Sequence, residues 1–367
     1  MKKLLRPHIL NMEPYTPIIP FEVLSEQLGI PADKIIKLDA NENPYGILPA
    51  VAKALQDLSN AHIYPDPESR FLRRALAEYH QLPVENILAG AGADELIDLI
   101  LRLFINPGEV ILNCPPTFGM YAFDTAVNGG RVVNIPRLDD FSVDADALLN
   151  AIAEHQPKLL FLANPNNPDG GLLSPKIIDA LLEQNLLLVL DEAYMEFAPP
   201  KASYIHQASE RENLIVLRTF SKWAGLAGLR VGYGVFPSAL MPYLWTAKQP
   251  YNISVAASEA ALAALRHARE LEEIGQKIIA ERERLFKALN EIPFLKPYPS
   301  QSNFILCRVL GREAAKLKAD LASAGILVRY FSNPGLDDHI RISVGIPEQM
   351  DALLEHLTTK STETTEF

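Results

Sequence analysis

The stretch LLLVLDEAY at residues 186–194 decides the fold. Five aliphatic residues in a row are followed in it by two carboxylates, Asp191 and Glu192. Runs of this kind are typical of strands that are covered on both faces of a parallel sheet. Similar aliphatic runs occur at residues 158–162 and 214–217, with helical or loop segments between them. The sequence therefore predicts an α/β fold with a mostly parallel, doubly wound sheet.

The neighbouring segments repeat the same alternation of strand and helix. Short apolar stretches predict strands at residues 86–89, 109–113 and 131–135, and residues 94–104 have apolar side chains at helical spacing. Residues 254–290 consist almost entirely of helix-forming residues and contain no proline. We predict one long helix there, which bridges two domains.

The chain changes character after this helix. Strands are predicted at residues 303–309 and 339–344, and helices at residues 312–324 and from Pro347 onward, which together indicate a smaller α+β domain. A length of 367 residues is consistent with two domains. We expect an N-terminal segment at 1–40 that packs with the small domain and the active site, a large domain at 41–255, a small C-terminal domain at 256–360 and a disordered tail at 361–367.

Composition and charge exclude several classes of protein. The 45 acidic residues outnumber the 34 basic ones, which gives a net charge of −11, and an acidic surface repels the phosphate backbone of nucleic acids. The apolar runs are too short to span a bilayer, and polar residues interrupt any signal-peptide core near the first residue. Cys114 and Cys307 form no CxxC pair, and the histidines form no metal-binding motif. We predict a cytoplasmic protein without metal, nucleic-acid or membrane partners.

Two motifs at predicted strand ends could bind an anion or shape a site. GAGADE at residues 90–95 follows one strand and opens a helix, where backbone N–H groups and the helix dipole favour a phosphate. It departs from the dinucleotide-binding fingerprint because Glu95 occupies the third glycine position. NPNNPDG at residues 164–170 follows a second strand, and its prolines restrict the backbone. Each motif could also be an ordinary turn.

Two further strand ends carry groups that could perform chemistry. Asp191 lies at the mouth of a very apolar strand, where a carboxylate needs a partner to stay charged. Lys222 follows the next strand within TFSKWAGLAGLR, residues 219–230, and a poorly solvated lysine is a nucleophile that can form a Schiff base. Taken singly, Asp191 could cap the following helix, and Lys222 could lie on a surface loop.

All four motifs occur in order along the chain, each at a predicted strand end, and together they resemble a known family. The sequence resembles the fold-type I pyridoxal-phosphate aminotransferases, and among them the histidinol-phosphate aminotransferases. The similarity runs through nearly the whole chain in the signatures LDANENPYG (38–46), IYPDP (63–67), GAGADELID (90–98), NPNNPDG (164–170), DEAY (191–194), TFSKWAGLAGLRVGY (219–233) and IRISVG (340–345).

The resemblance implies a pyridoxal 5'-phosphate cofactor bound by the large domain. Lys222 would form a Schiff base with it and later move a proton. Asp191 would keep the pyridine nitrogen protonated, while Asn167 and Tyr194 would bind the ring oxygen. Phe118 would stack on the ring, at a position where this family often has tyrosine. The residues implied at the phosphate are Gly92, Ala93, Asp94, Thr219, Ser221 and Arg230.

The resemblance also implies how substrates bind. Arg341 and Arg329 match arginines that receive an anionic group, and two guanidinium groups suit a phosphate or a carboxylate. Tyr15 and Asn252 would close over the substrate. Tyr64 resembles a tyrosine that reaches the cofactor phosphate of the neighbouring subunit, which implies a homodimer.

The implied activity is transamination between L-histidinol phosphate and 2-oxoglutarate, which gives imidazole acetol phosphate and L-glutamate in histidine biosynthesis. Two alternatives stay open on the same fold: an aminotransferase for aromatic amino acids and a threonine-phosphate decarboxylase. A nicotinamide-dependent dehydrogenase would leave the Lys222 segment unexplained. A non-catalytic binding protein would not need both Lys222 and Asp191. Asp169 stands where threonine is usual in the family, and we expect it to have a structural role in its loop.

Overall fold

Two β-sheets flanked by helices form the chain in the computed structural model, which describes residues 2–14, 19–333 and 335–362. The larger sheet has seven strands and the smaller one has five. None of the described helices combines the length and the apolar character that a bilayer crossing requires. The strands, in chain order, are β1 Ile36–Leu38, β2 Ile87–Gly90, β3 Val110–Asn113, β4 Arg131–Asn134, β5 Leu159–Ala163, β6 Leu187–Asp191, β7 Leu214–Thr219, β8 Gly232–Val235, β9 Leu295–Pro297, β10 Phe304–Val309, β11 Ile326–Tyr330 and β12 His339–Ser343.

Helices cover the sheets, and in chain order they are α1 Phe21–Leu28, α2 Pro49–Gln56, α3 Arg70–His80, α4 Ala93–Phe104, α5 Met120–Val127, α6 Ala145–His155, α7 Pro175–Leu182, α8 Ile205–Glu210, α9 Met241–Ala247, α10 Val255–Arg266, α11 Ala268–Asn290, α12 Ala314–Ser323 and α13 Pro347–Thr362. Side-chain caps begin α6 and α10, where Asp144 and Ser254 accept hydrogen bonds from backbone N–H groups of the first turn. Proline occupies the first turn of α2 and α7, where its missing N–H leaves no helical hydrogen bond unmade.

The large sheet is mostly parallel, as predicted. Its strand order is β2-β8-β7-β6-β5-β3-β4, and β8 runs antiparallel to both its neighbours. Every residue of β5, β6 and β7 is buried, which explains their unbroken aliphatic runs. Sequence reasoning missed β8, because two of its four residues are glycine, which is depleted in strands.

The parallel arrangement brings the polar strand ends together. β5, β6 and β7 lie side by side, with Ala163 opposite Asp191 and Asp191 opposite Leu217. Their carboxyl ends therefore meet at one edge of the sheet, and the segments that contain Asn167 and Lys222 start from that edge. In an open α/β sheet this edge is where ligands bind.

The small sheet combines strands from distant parts of the chain. Its order is β1-β11-β12-β10-β9, and β1 pairs in parallel with β11, so that Ile36 lies opposite Ile326. Sequence reasoning predicted β10 and β12 but assigned no strand at β1, β9 or β11. β1 and β9 have three residues each, which is too short for an alternating pattern to show. The pairing of β1 brings this part of the N-terminal segment against the small sheet.

The single helix predicted at residues 254–290 is wrong. The chain forms α10 and α11 there, separated at His267, where φ is −114° and ψ is 29°. α10 packs against α2 and α3, whereas α11 packs against β9 and β10, so the break lets the two helices follow different surfaces. At the other end of the chain, α13 continues to Thr362, two residues into the predicted tail, and residues 363–367 lie outside the described part.

A buried ion cluster lies directly behind the carboxyl end of β6. Arg218 on β7 pairs with Glu192 at 2.8 Å and with Glu196 at 2.7 Å. Glu192 also accepts hydrogen bonds from the Ser203 hydroxyl at 2.8 Å and from the Tyr204 backbone N–H at 2.7 Å. Glu192 and Arg218 are buried, and these contacts pair their charges where little water reaches them. Because Glu192 directly follows Asp191 in the chain, the cluster fixes the backbone at the strand end where the site begins.

We expect Arg218→Met to lower the free energy of unfolding by about 3–5 kcal/mol, because it leaves buried carboxylates without their cation while keeping most of the side-chain volume. Urea denaturation followed by circular dichroism measures this loss. Lys53→Met is the matched control, since Lys53 pairs with Asp57 on an exposed face of α2, and its loss should cost less than about 1 kcal/mol. Equal losses in the two variants would show that the buried cluster does not stabilise the fold.

Candidate active site

A cavity of about 140 Å³ opens at the carboxyl edge of β5, β6 and β7. The start of α4 and the loop after β7 also contribute to its walls. Most residues that were predicted to bind a cofactor line this cavity, although they come from distant parts of the chain. They are Ala93, Asp94, Phe118, Asn167, Asp191, Tyr194, Thr219, Ser221, Lys222 and Arg230.

Asp191 projects from the end of β6 and is 5% exposed. The Tyr121 hydroxyl donates to its Oδ2 at 2.7 Å, and the Ala193 backbone N–H donates to its Oδ1 at 3.1 Å. Burial raises the pKa of Asp191 to about 6, and these two hydrogen bonds oppose the rise. A cationic group that enters the cavity would pair with this carboxylate and favour its charged form.

A second group of residues gathers hydrogen-bond donors at the N-terminus of α4. The Thr219 hydroxyl donates to Ser221 Oγ at 3.0 Å, and Nη1 of Arg230 lies 3.5 Å from the same oxygen. Nη2 of Arg230 pairs with Asp94 at 2.7 Å. The first N–H groups of a helix, here including that of Ala93, have no acceptor within the helix. Hydroxyls, a guanidinium group and helix N–H groups match the charge and geometry of a phosphate.

Gly92 forms the turn just before these donors at the N-terminus of α4. Its φ is 83°, a conformation that glycine adopts without strain, and its N–H donates to the Gly90 carbonyl at 2.8 Å. A Cβ atom at this position would lie 2.7 Å from Nη2 of Arg230. The N–H of Gly92, which is predicted to bind the phosphate, donates inside the turn in this structure. Gly92, Ala93 and Asp94 stay predictions for the phosphate contact.

Lys222 and two aromatic side chains border the same cavity. Lys222 Nζ lies 3.4 Å from the Ala40 carbonyl oxygen and 5.7 Å from the centre of the Tyr194 ring. Phe118 packs edge-to-face on Tyr121, with ring centres 5.5 Å apart. An amine and an aromatic wall in one cavity suit a flat ring that carries a reactive carbonyl group.

Two arginines of the small sheet, which do not line this cavity themselves, are connected to it through Asn167. Arg341 on β12 donates to Asn167 Oδ1 at 2.5 Å and to the Asp39 carbonyl at 2.9 Å. Arg329 on β11 lies directly opposite Arg341 in the register of the two strands, so the two side chains share one face of the sheet. The bond from Arg341 to Asn167 links this pair to the cavity that Asn167 lines. Both residues predicted to bind a substrate anion are therefore neighbours.

The structure places Tyr64 and Asn252 outside the lining of this cavity. Tyr64 is 80% exposed, and its ring packs on that of Tyr251 with centres 4.8 Å apart. Asn252 donates to the Glu95 carboxylate at 2.7 Å, which directs its amide towards the start of α4. Tyr15, the other residue expected to close over the substrate, lies outside the described residues.

Asp169, which departs from the usual family residue, lies beneath the loop at residues 164–170. It is buried and accepts hydrogen bonds from the Asn166 side chain and from the Gly171 N–H. Burial raises the pKa of its carboxyl group. Asp169 therefore shapes the loop that carries Asn167 and does not line the cavity.

Sequence reasoning missed two side chains that hold predicted site residues from behind. Tyr121 donates to Asp191, and the side-chain amide of Asn41 donates to the Tyr194 hydroxyl at 3.0 Å. Tyr121 follows Phe118 in the same short segment, so a second aromatic residue near the stacking position was an available signal. Asn41 lies within LDANENPYG, but nothing local marks its role, because its partner is distant in the chain.

The cavity thus combines a lysine amine, a buried carboxylate and a set of donors shaped for a phosphate. These groups fit pyridoxal 5'-phosphate, whose carbonyl carbon, ring nitrogen and phosphate need those three partners. The fold and the site together define a fold-type I enzyme that depends on pyridoxal phosphate. The family model described as aminotransferase class I and II matches residues 33–357.

Similar proteins define the branch of the family. The chain is 53% identical to the chloroplastic histidinol-phosphate aminotransferase of Nicotiana plumbaginifolia, over 96% of this chain and 86% of that protein. It is 52% identical to the histidinol-phosphate aminotransferase of Roseiflexus castenholzii, over 96% and 97%. The crystal structure of the Sinorhizobium meliloti histidinol-phosphate aminotransferase with pyridoxal-5'-phosphate superposes with a TM-score of 0.89 at 31% identity, covering 98% of each chain. The chain belongs to the class I and II aminotransferases and, within them, to the histidinol-phosphate aminotransferase family.

We expect Asp191→Asn to change how the stability of the cofactor-free protein depends on pH. The native carboxyl group has a pKa of about 6 against an ordinary 3.8, so the folded state binds the proton more tightly and wild-type stability falls as the pH rises between these values. The variant has no carboxyl group to titrate, so its free energy of unfolding does not fall in this way. As the pH rises from 3.8 to 6, its free energy of unfolding should therefore increase relative to that of the wild type by about 3 kcal/mol. Urea unfolding at pH 4 and at pH 7 measures the gain, with the exposed Asp57→Asn as control. A difference between Asp191→Asn and the wild type that does not change with pH would contradict the raised pKa.

Proposed function

We propose that this protein transfers an amino group between L-histidinol phosphate and 2-oxoglutarate, giving imidazole acetol phosphate and L-glutamate in histidine biosynthesis. The observation that carries the proposal is the pairing of Arg329 and Arg341 on one face of the small sheet, beside the cavity that contains Lys222. The names of relatives that share about half of their residues with this chain support the same substrate.

When bound, pyridoxal phosphate withdraws electrons from the bonds around the amino carbon of the substrate. Lys222 supplies the amine that holds the cofactor and then carries the proton between two carbon atoms. Asp191 stabilises the proton on the ring nitrogen, and Tyr121 together with the Ala193 N–H keeps this carboxylate in one orientation. Tyr194, on the neighbouring wall of the cavity, acts with Asn167 at the ring oxygen.

The remaining lining residues anchor the cofactor at its other groups. Ser221, Thr219 and Arg230 supply side-chain donors for the phosphate, and the first turn of α4 supplies backbone N–H groups. Phe118 covers one face of the ring, and a phenylalanine provides this contact without the hydroxyl of the tyrosine usual in the family. These donors are separate from the arginine pair that we assign to the substrate. The cofactor phosphate can therefore stay bound while one substrate replaces the other.

The two substrates of a transaminase use one site in turn, so its anion-binding groups must accept both a phosphate and a carboxylate. A guanidinium group binds either anion through two parallel N–H bonds. Arg329 and Arg341 together offer more donors than a single carboxylate can accept. This surplus favours an amino donor that carries a phosphate over one with a neutral aromatic side chain.

We further propose that the active form is a homodimer in the cytoplasm. The high exposure of Tyr64 in the single chain supports its role at the cofactor phosphate of a neighbouring subunit. Cys114 and Cys307 are free, buried thiols, and burial raises the pKa of Cys114 to about 11. Inert thiols of this kind are common in proteins of reducing compartments.

The first experiment follows the cofactor in the absence of any keto acid. We expect L-histidinol phosphate at low concentration to bleach the visible absorption band of the bound cofactor, and L-phenylalanine to bleach it only weakly, because its carboxylate offers the arginine pair less charge and fewer acceptor oxygens than a phosphate does. Stopped-flow absorbance measures both rates. Bleaching by phenylalanine alone would indicate an aromatic aminotransferase, and release of CO2 from L-threonine phosphate would indicate the decarboxylase.

Lys222→Ala is the control for this experiment. Without the amine, the variant should bleach with neither substrate and should lose its cofactor on dialysis, because no covalent bond holds it. Retention of turnover by Lys222→Ala would contradict the assignment of this lysine.

We expect Arg341→Ala to raise the KM for both L-histidinol phosphate and L-glutamate by about 10- to 100-fold, the effect of losing one hydrogen-bonded charged group. Arg329→Ala should raise the KM for L-histidinol phosphate more than that for L-glutamate. Steady-state kinetics on each substrate measures the two effects. Arg308→Ala is the matched control, because Arg308 lies on β10 of the same sheet and pairs with Asp338 at 2.6 Å. Unchanged KM values in Arg341→Ala would remove this residue from the substrate site.

A further inference from the structure

The segment at residues 39–43, which follows β1, contacts the site at several successive positions. The Asp39 carbonyl accepts from Arg341 at 2.9 Å, and the Ala40 carbonyl accepts from Lys222 at 3.4 Å. The Asn43 side-chain amide donates to the carbonyl of Trp223, the residue after Lys222, at 2.8 Å. We call residues 39–43 the connector, because it joins the small sheet to the residues that perform the chemistry.

Asn41 is the most deeply buried polar residue of the connector, with 1% of its surface exposed. Its backbone N–H donates to Ser343 Oγ at 2.9 Å, and its carbonyl accepts from the Asn303 side-chain amide at 3.0 Å. Its side-chain Oδ1 accepts from the Ser343 hydroxyl at 2.9 Å, and its Nδ2 donates to the Tyr194 hydroxyl at 3.0 Å. Every polar group of Asn41 therefore has a partner.

The double contact with Ser343 fixes which way the Asn41 amide faces. Ser343 Oγ receives the backbone N–H of Asn41, and its single proton goes to Oδ1 of the same residue. If the amide were turned over, this hydroxyl proton would face an N–H group and lose its acceptor. The arrangement therefore directs Nδ2 of Asn41 to Tyr194, and the Tyr194 oxygen accepts a hydrogen bond from behind.

We propose that Asn41 is a positioning residue that makes the Tyr194 hydroxyl a hydrogen-bond donor towards the cavity. An oxygen that already accepts a hydrogen bond from Asn41 still has one proton to donate, and accepting that bond makes it a stronger donor. This inference rests on the proposed function, in which the ring oxygen of pyridoxal phosphate accepts a hydrogen bond from the Tyr194 hydroxyl. A donor at that oxygen stabilises its negative charge and so sets the pH at which the visible band of the cofactor changes.

Asn41→Asp reverses this hydrogen bond with almost no change in shape. The φ of Asn41 is 55°, in the left-handed region, which both asparagine and aspartate tolerate better than other residues with side chains. The new carboxylate accepts from Ser343 as before, but it also accepts the Tyr194 proton and turns it away from the cavity. We expect the pH midpoint of the cofactor's absorption change to rise by about one unit, with a decrease in kcat larger than the increase in KM.

A double-mutant cycle with Tyr194→Phe separates this mechanism from a simple effect of added charge. Lys222, 5.7 Å from the centre of the Tyr194 ring, and Asp191 at the end of β6 are unchanged in every variant. If Asn41 acts through the Tyr194 hydroxyl, Asn41→Asp should shift the midpoint much less in the Tyr194→Phe background than in the wild type. Equal shifts in both backgrounds would overturn the inference, because a charge would act without the hydroxyl.

Asn86→Asp is the matched control for burial and for the new charge. Asn86 directly precedes β2, is 3% exposed and does not line the cavity. Its side-chain amide donates to the Phe236 carbonyl. Asn86→Asp should lower the stability without moving the pH midpoint of the cofactor's absorption change. Ser343→Ala releases the Asn41 amide without adding charge, so it should move this midpoint in the same direction as Asn41→Asp. A midpoint that moves equally in Asn86→Asp would contradict the inference.

A second readout keeps the inference separate from the proposed function. The affinity of each cofactor-free variant for pyridoxal phosphate, followed by quenching of tryptophan fluorescence, tests whether the site still binds the cofactor. Failure of the wild type to bind pyridoxal phosphate would overturn the proposed function. Normal binding by the wild type, with identical pH midpoints in wild type and Asn41→Asp, would overturn the role of Asn41 alone.

Discussion

The site depends on one carboxylate, that of Asp191, which is almost entirely buried. The aliphatic residues that make β6 a buried strand also desolvate Asp191 at its end, and this burial raises the pKa of the group to about 6. Tyr121 and the Ala193 N–H fix its direction, and the ion pair between Glu192 and Arg218 holds the backbone behind it. The packing of the sheet and the electrostatics of the site therefore have the same origin. The apolar residues that place β6 at the centre of the sheet also make a cationic group the preferred partner of Asp191, its last residue.

The residues to which we assign chemistry and those to which we assign substrate recognition come from different sheets. The lysine and the carboxylate belong to the large sheet and the loops after its strands, whereas Arg329 and Arg341 belong to the small one. Polar contacts join the two parts, among them the bond from Arg341 to Asn167 and the contacts of the connector at residues 39–43, and one apolar cluster includes residues of both sheets. These contacts fix the position of the arginine pair relative to the cavity that contains Lys222 and Asp191.

The sequence allows the central sheet and most of the cavity lining to be predicted, because burial on both faces leaves unbroken aliphatic runs and the reactive residues follow them directly. The features that were missed depend on partners far away in the chain. The break at His267 reflects two packing surfaces rather than a helix-breaking residue, and β8 pairs with neighbours despite its glycines. The resemblance implies a donor role for Gly92, which stays a prediction, and in the structure its N–H donates to the Gly90 carbonyl within the turn. Asn41 acts on Tyr194 across more than a hundred residues, a contact that no local pattern reveals.

The pairing of β1 with β11 also orders the steps by which a growing chain acquires its parts. Ile36 pairs with Ile326, and the Asn41 N–H donates to Ser343, so β1 cannot make its native contacts before the last strands have been synthesised. The strands of the large sheet, from β2 to β8, are all available earlier, and long-range pairing is the slow step in folding. A chain still attached to the ribosome can therefore contain Lys222 and Asp191 while it lacks Arg329 and Arg341, so the residues that we assign to selectivity are synthesised after those that we assign to reactivity.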